Sequence, residues 1–331
     1  MGAGVPLSCC QADSEDEQGM WIEHDLNRLV PDAPTQLVVG AFDGLHRGHQ
    51  ALLGEVVAAA RAGAGQAVVL TFDPLPRQFF NGNAGHFWLS SLDERLEQFA
   101  VLGLDGVIVQ PFDTSVATLS ARAFLSWIRE HLRLAALWAG PDFALGHRRE
   151  GTLDVLRRLG AELGFEVHTF APFIWRGTAV HSSDIRRLLS EGRIEEANDL
   201  LGRPYRLTGI VCPGEQRGRQ LGFPTANLEI PPERLLPQNG IYVCRARLER
   251  GAFEAVTNVG TRPTFDHSDV TVEAHLLDFD AHIYGERLQL DFFTRLRPEV
   301  RFDSAAGLVA QMHEDVVQAR RWFAAWNGEI G

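Results

Sequence analysis

The chain has 331 residues, 45% of them hydrophobic and 22% charged, which leaves room for two globular domains and excludes disordered, collagenous and coiled-coil classes. Its net charge of −12 gives an acidic surface that repels phosphate backbones, so nucleic acid is not an expected partner. All 31 basic residues are Arg, which excludes chemistry that needs a lysine ammonium: Walker A phosphate binding, Schiff-base catalysis and pyridoxal-phosphate enzymes.

Residues 1–20 are too acidic and polar for a signal peptide and are expected to form a disordered tail. No stretch approaches the length of about 18 uninterrupted apolar residues that a membrane span needs. The cysteines, Cys9, Cys10, Cys212 and Cys244, make no CxxC pair, so a cytosolic chain with reduced thiols is expected. Residues 36–39 (QLVV) then read as a strand ending at Gly40, and 50–62 repeat apolar positions at helical spacing. The alternation continues with a strand at 66–72, a helix at 92–102, a strand at 106–109, a Ser-capped helix at 120–132, a strand at 134–140, a helix at 151–164 and a strand at 166–170. Alternating strands and helices predict a doubly wound α/β domain with a parallel sheet, whose ligands sit beyond the carboxyl ends of the strands.

A helical stretch over 184–201 ends at Gly202 and Pro204, after which the texture changes. LTGIVC, GIYVCRARLE, AFEAVTNVG, VTVEAHLLDF and RLQLDFF are short strands about ten residues apart, as in an antiparallel barrel or sandwich. Leu308, Val309, Met312, Val316 and Phe323 then repeat at helical spacing over 304–323, predicting one covering helix.

The loop between the first strand and the first helix reads GAFDGLHRGH. Helix-terminal amides are unpaired there and bind anions. His46 and His49 are three apart, so one helical turn sets both imidazoles on one side, beside Gly40, Gly44 and Gly48. This loop resembles the HxGH signature of the nucleotidyltransferase superfamily. With Phe42-Asp43-Gly44 it is similar to the adenylyltransferase module of bifunctional riboflavin kinase and FAD synthetases, and the likeness runs on through TFDPLPRQFF at 71–80, GPDFALGHRREG at 140–151 and HSSDIRRLL at 181–189. The resemblance implies that His46 and His49 are catalytic. It makes Gly40, Phe42, Asp43, Gly44 and Gly48 nucleotide contacts, Ser182, Ser183 and Arg186 triphosphate ligands, and Asp142 and Phe143 substrate contacts. Read from sequence alone, Ser182 or Ser183 caps a helix starting near Asp184. The family's usual Pro-His-Pro is Pro74-Leu75-Pro76 here, and His181 and Ser183 stand where it has Ser and Thr.

In the C-terminal half, GIVCPGEQRGRQLGFPTANL, NVGTRPTF, VEAHLLDF and YGERLQLDFF resemble the riboflavin kinase module, which implies a six-stranded antiparallel barrel with a C-terminal helix. Val270, Val272 and Ala274 alternate with Thr271, Glu273 and His275, placing the Glu273 carboxylate on a polar face; the family implies it is the general base. Thr225 and Asn227 are two apart on an extended segment and present hard oxygens of the kind Mg²⁺ takes. Gly214, Arg217, Gly218 and Gly222 are implied to hold phosphate and Arg262 to lie near substrate, in a loop with Asn258. His275 reads as a barrel-surface residue, and Cys212 and Cys244 as strand residues serving as small hydrophobes.

The expected domains are 21–186 for adenylyl transfer, 187–203 as a helical linker and 204–331 for the kinase. The expected function is phosphorylation of riboflavin to FMN and adenylylation of FMN to FAD, with ATP as co-substrate, Mg²⁺ as cofactor, and no nucleic-acid or membrane partner. Two alternatives use the same residues: a riboflavin kinase whose first domain the changes at Leu75 and His181 have silenced, or a non-catalytic flavin-binding regulator.

Overall fold

The computed structural model describes residues 14–15, 19–29, 33–82, 87–214, 218, 221–263, 268–326 and 328, with the backbone alone at 14–15, 262–263 and 268–270. Two compact units emerge: Met1–Asn83 with Leu92–Ala179, and Ala84–Ser91 with Val180–Gly331.

The first unit is built on strands β1 (Ser14–Glu15), β2 (Trp21–Glu23), β3 (Thr35–Val39), β4 (Gln66–Asp73), β5 (Gly106–Pro111), β6 (Leu134–Ala139) and β7 (Glu166–Thr169), in the order β1-β2-β5-β4-β3-β6-β7. All pairings are parallel except β1 with β2. The central strands are apolar on both faces, with Leu37, Val38, Val68, Val69, Leu70, Val107 and Ile108 all buried, as a sheet covered on two sides requires. Its helices are α1 (Arg47–Ala62), α2 (Pro76–Asn81), α3 (Leu92–Val101), α4 (Thr114–Ala117), α5 (Ala121–His131) and α6 (Leu153–Leu163). Ser120 caps α5 as its sequence predicts, its hydroxyl accepting from the Ala123 N–H at 3.1 Å. Strand order reverses between β3 and β6, so the crevice of this unit opens at their carboxyl ends, where the Gly40–His49 loop leaves β3 and the Asp142–Phe143 turn leaves β6. A two-stranded ribbon, β8 (Ile174–Trp175) and β9 (Thr178–Ala179), follows β7.

Two features of this unit depart from the sequence reading. Met20, assigned to the tail, is 2% exposed and packs in the core with Leu53, Val69 and Phe99. Ser14–Glu15 pairs with β2, itself only three residues long and too short for an alternating pattern to register.

In the second unit, β10 (Tyr205–Cys212), β11 (Ala226–Glu229), β12 (Gly240–Leu248), β13 (Gly251–Pro263), β14 (Ser268–Leu276) and β15 (Arg287–Arg297) close into a barrel in the order β10-β11-β14-β13-β12-β15. The predicted helix at 184–201 is two helices, α7 (Ser182–Ser190) and α8 (Ile194–Leu201), broken at Gly192, whose φ is +73°. They are not a free linker: Ile185, Leu188, Leu189, Ile194, Ala197 and Leu201 share one core with Tyr205, Leu207 and Phe292. The final helix, α9 (Ala305–Ala325), lays Ala319 and Phe323 on Val243 and Phe293. Asn258 and Arg262 lie within β13 rather than in a loop.

Candidate active sites

The β3–α1 loop is held from both sides. Phe42 is buried with a φ of +49°, and Gly44 turns the chain at φ +81°. Asp43 and His46 are 4% and 5% exposed. His46 is the N-cap of α1: its Nδ1 accepts from the His49 backbone N–H at 3.3 Å, which leaves the ring proton on Nε2 as a donor. The His46 and His49 rings stack with centroids 3.7 Å apart, and Phe42 meets His49 edge-on at 5.3 Å. A Cβ on Gly48 would sit 3.2 Å from the His46 ring, and one on Gly40 would sit 3.0 Å from the Phe42 ring, so a side chain at either position would press on its ring.

One member of this site was not legible in the sequence. Arg95, in the first turns of α3, is 3% exposed. Its Nη1 donates to the Ala41 carbonyl at 2.9 Å and to the Thr71 hydroxyl at 2.8 Å, bracing the loop from below. Burial draws its pKa down, and the carboxylates of Asp43 and Asp73 oppose that shift. Breaking such a buried charge network costs on the order of 3 kcal/mol. Arg95→Met is therefore expected to lower the melting temperature of the transition involving this unit by roughly 6–12 °C, read by scanning calorimetry; an unchanged transition would show that the guanidinium contributes no net stability.

The other edge loops of the first unit add an aromatic surface and a shallow cavity. Phe79 and Phe80 on α2 and Phe112 beyond β5 meet edge-on, with centroids 5.3–5.9 Å apart, and Phe80 is 66% exposed. Leu75, at the departure from Pro-His-Pro, is buried at the N-cap of α2. Exposed Asp142 and half-buried Phe143 line a cavity with Arg149 and Arg157, and Arg149 Nη2 donates to the Asp142 carbonyl at 2.7 Å.

Within the second unit, α7 begins at Ser182 with His181 as N-cap, because the Asp184 and Ile185 N–H groups already bond the His181 carbonyl. Ser182 and Ser183 are thus first-turn residues, not caps. Arg186 lies over the Phe87 ring at 3.9 Å and its Nε donates to the Phe87 carbonyl at 3.0 Å.

On the barrel, Thr271, Glu273 and His275 are partly exposed while Val272, Ala274 and Leu276 are buried, the predicted alternation. The register sets Glu273 directly opposite Asn227 on β11 and opposite Asn258 on β13. Directly paired side chains stand about 5 Å apart at Cβ, so two amides flank the carboxylate. Beside Thr225 a cavity of about 190 Å³ is lined by Pro224, Phe279, Asp280, His282 and Tyr284. Cys244 is buried and its thiol pKa is pushed up by that burial, as an inert small hydrophobe requires; Cys212 is only partly buried. Arg217 lies outside the described residues, as does the side chain of Arg262. Gly218 and Gly222 flank the tight turn into β11, where the Leu221 and Phe223 N–H groups bond the Gly218 carbonyl.

Thr225 and Asn227 fit a hard divalent cation. Both offer neutral oxygens, and the backbone closes around them: a Cβ on Gly214 would fall 2.1 Å from Asn227 Nδ2, and one on Gly218 would fall 3.3 Å from Thr225 Oγ1. Among the described residues no cluster of three His, Cys, Asp or Glu side chains that could hold a metal ion is present. Gly214→Ala must turn Asn227 aside, and displacement of about 1 Å is worth on the order of 10²-fold in rate. That loss is expected in the chemistry of the barrel alone; an equal loss in the chemistry of the first unit would refute a local effect.

An HxGH-type α/β unit and a six-stranded barrel with a carboxylate set between amides define a nucleotidyltransferase joined to a flavokinase-type domain. The comparisons agree. Residues 31–184 match the family described as FAD synthetase and 201–323 the family described as riboflavin kinase. A bifunctional riboflavin kinase/FMN adenylyltransferase of Listeria monocytogenes is 34% identical over 91% of this chain and 94% of its own length, and that of Escherichia coli K12 is 34% identical over 91% and 96%. The crystal structure of a protein named Macrolide-efflux Protein from Streptococcus pneumoniae superposes with a TM-score of 0.82 at 28% identity, covering 92% of this chain and 99% of that one. Among the described residues no helix is long and apolar enough to cross a membrane. The chain belongs to the bifunctional riboflavin kinase/FMN adenylyltransferase family.

Proposed function

We propose that this chain makes FAD from riboflavin in two ATP-dependent steps, with Glu273 as the base of the first and His46 and His49 as the phosphate-binding imidazoles of the second. The observation that carries the proposal is the register that sets Glu273 opposite Asn227 and within one strand of Thr225. In the barrel, the 5′-oxygen of riboflavin attacks the γ-phosphorus of ATP, the P–O bond to ADP breaks, and the Glu273 carboxylate takes the hydroxyl proton. Thr225 and Asn227 would hold Mg²⁺. When bound, that ion neutralises charge on the β- and γ-phosphates. The cavity at Pro224, Thr225 and Tyr284 is read as the nucleoside pocket, with Gly214, Arg217, Gly218 and Gly222 as phosphate contacts and Arg262 as a substrate contact.

In the first unit, the FMN phosphate attacks the α-phosphorus of a second ATP and pyrophosphate leaves. The nucleophile is already ionised, so no strong base is required, and the residues contribute by position. Imidazole N–H and loop amides meet the charge that grows on the leaving phosphates. Phe79, Phe80 and Phe112 offer rings against which an isoalloxazine stacks, and Asp142 and Phe143 are assigned to substrate. Ser182, Ser183 and Arg186, which belong to the second unit, are proposed as phosphate contacts on the family resemblance alone. A cytosolic setting suits the free thiols of Cys212 and Cys244.

Incubation of the full chain with riboflavin, ATP and Mg²⁺, followed by chromatography, is expected to show FMN and then FAD. FMN without FAD would remove the adenylyl-transfer reading and keep the kinase; no flavin product at all would remove both.

A further inference from the structure

Thr225 stands just outside the paired part of its strand. The β11–β14 ladder runs from Leu228 opposite Val272, through Asn227 opposite Glu273, to Ala226 opposite Ala274, and stops there. Among the described residues no ladder bond therefore holds residues 224 and 225, and Pro224 has no N–H with which to extend the pairing. A side chain supplies the tie instead: His275 Nδ1 lies 2.8 Å from the Pro224 carbonyl oxygen. A carbonyl only accepts, so the ring proton sits on Nδ1 and donates.

The neighbouring residue is fixed as well. Phe223 is buried, its N–H donates to the Gly218 carbonyl at 2.8 Å, and its ring meets the edges of His275 at 5.3 Å and His313 at 4.8 Å. An exposed strand histidine satisfied by water would be an ordinary surface residue. His275 instead grips the last carbonyl before Thr225, from a position two residues along the same face as Glu273. We infer that His275 is a positioning residue for phosphoryl transfer: it holds the Pro224–Thr225 peptide so that the Thr225 hydroxyl stays in line with Asn227 for a metal-bound nucleotide. The inference rests on the kinase reading of the barrel.

Hydrogen-bond partners standing behind a metal ligand are typically worth about 10- to 100-fold in metal affinity or activity. Two variants of the full chain separate the hydrogen bond from the packing. His275→Asn places an amide N–H where Nδ1 stands but loses the ring; His275→Phe keeps a ring against Phe223 but has no donor. The measurements are Mg·ADP binding and metal-free ADP binding by calorimetry, FMN formation across a Mg²⁺ series, and FAD formation from supplied FMN. For His275→Phe, Mg·ADP binding should weaken and half-saturating Mg²⁺ rise by about 10- to 100-fold, while metal-free ADP binding and FAD formation hold. His275→Asn should stay close to the parent. Unchanged Mg·ADP binding in His275→Phe overturns the inference, and so does a loss in His275→Asn as large as in His275→Phe. Absence of FMN formation by the parent chain would instead overturn the kinase reading beneath it.

Discussion

Glu273→Gln is expected to lower FMN formation by about 10²- to 10⁴-fold, the usual contribution of a positioned proton acceptor. Gln has the same length and shape, so the β14 register against Asn227 and Asn258 is kept. What disappears is the capacity to take a proton as the riboflavin oxygen attacks phosphorus. Binding of nucleotide should therefore persist while turnover falls, a loss made only in the transition state. FAD formation from supplied FMN should be unaffected. Retention of FMN formation within about tenfold of the parent would remove Glu273 from the role of base, since no base of consequence costs so little.

The Glu273 site shows what one sequence can and cannot reveal. The alternation of Val270, Val272 and Ala274 with Thr271, Glu273 and His275 was sufficient to put the carboxylate on the polar face, because a strand's period of two is written in its residue types. Its neighbours were not recoverable that way. Which residue of β13 stands opposite Glu273 is a matter of register between strands, which the sequence around Asn258 does not carry. Thr225 and Asn227 are legible as a pair from their spacing, whereas the approach of the Gly214 backbone to the Asn227 amide is visible only in the fold.

The fold divides along the same line. The β3–loop–α1 segment was legible because an apolar run, a glycine and a helical repeat follow in order. β2 is invisible to periodicity because three residues carry no period, and Met20 follows a polar run that reads as tail although it packs in the core. The pattern over 184–201 was helical throughout, yet Gly192 breaks it, and the apolar faces of both pieces settle on the barrel rather than on solvent. Arg95 was unreadable for a related reason: a charged residue in a helix's first turn ordinarily marks the exposed face, and only tertiary packing turns it beneath the Gly40–His49 loop.

Selective loss of adenylyl transfer should follow His49→Ala, with FAD formation from FMN falling by about 10²- to 10³-fold, the scale of removing one preorganised donor from developing oxyanion charge. His49 is a cleaner probe than His46. The His46 ring caps α1 through the His49 N–H, so truncating it also removes a helix cap worth about 1 kcal/mol. His49→Ala leaves that backbone donor in place and removes only the imidazole stacked at 3.7 Å on its neighbour. His46→Asn, which keeps a capping oxygen, should then lose activity without losing stability, and His46→Ala should lose both. FMN formation by the barrel should remain at the parent rate in all three. Loss of both reactions in a chain that still melts cooperatively would mean that the two chemistries do not have separate sites.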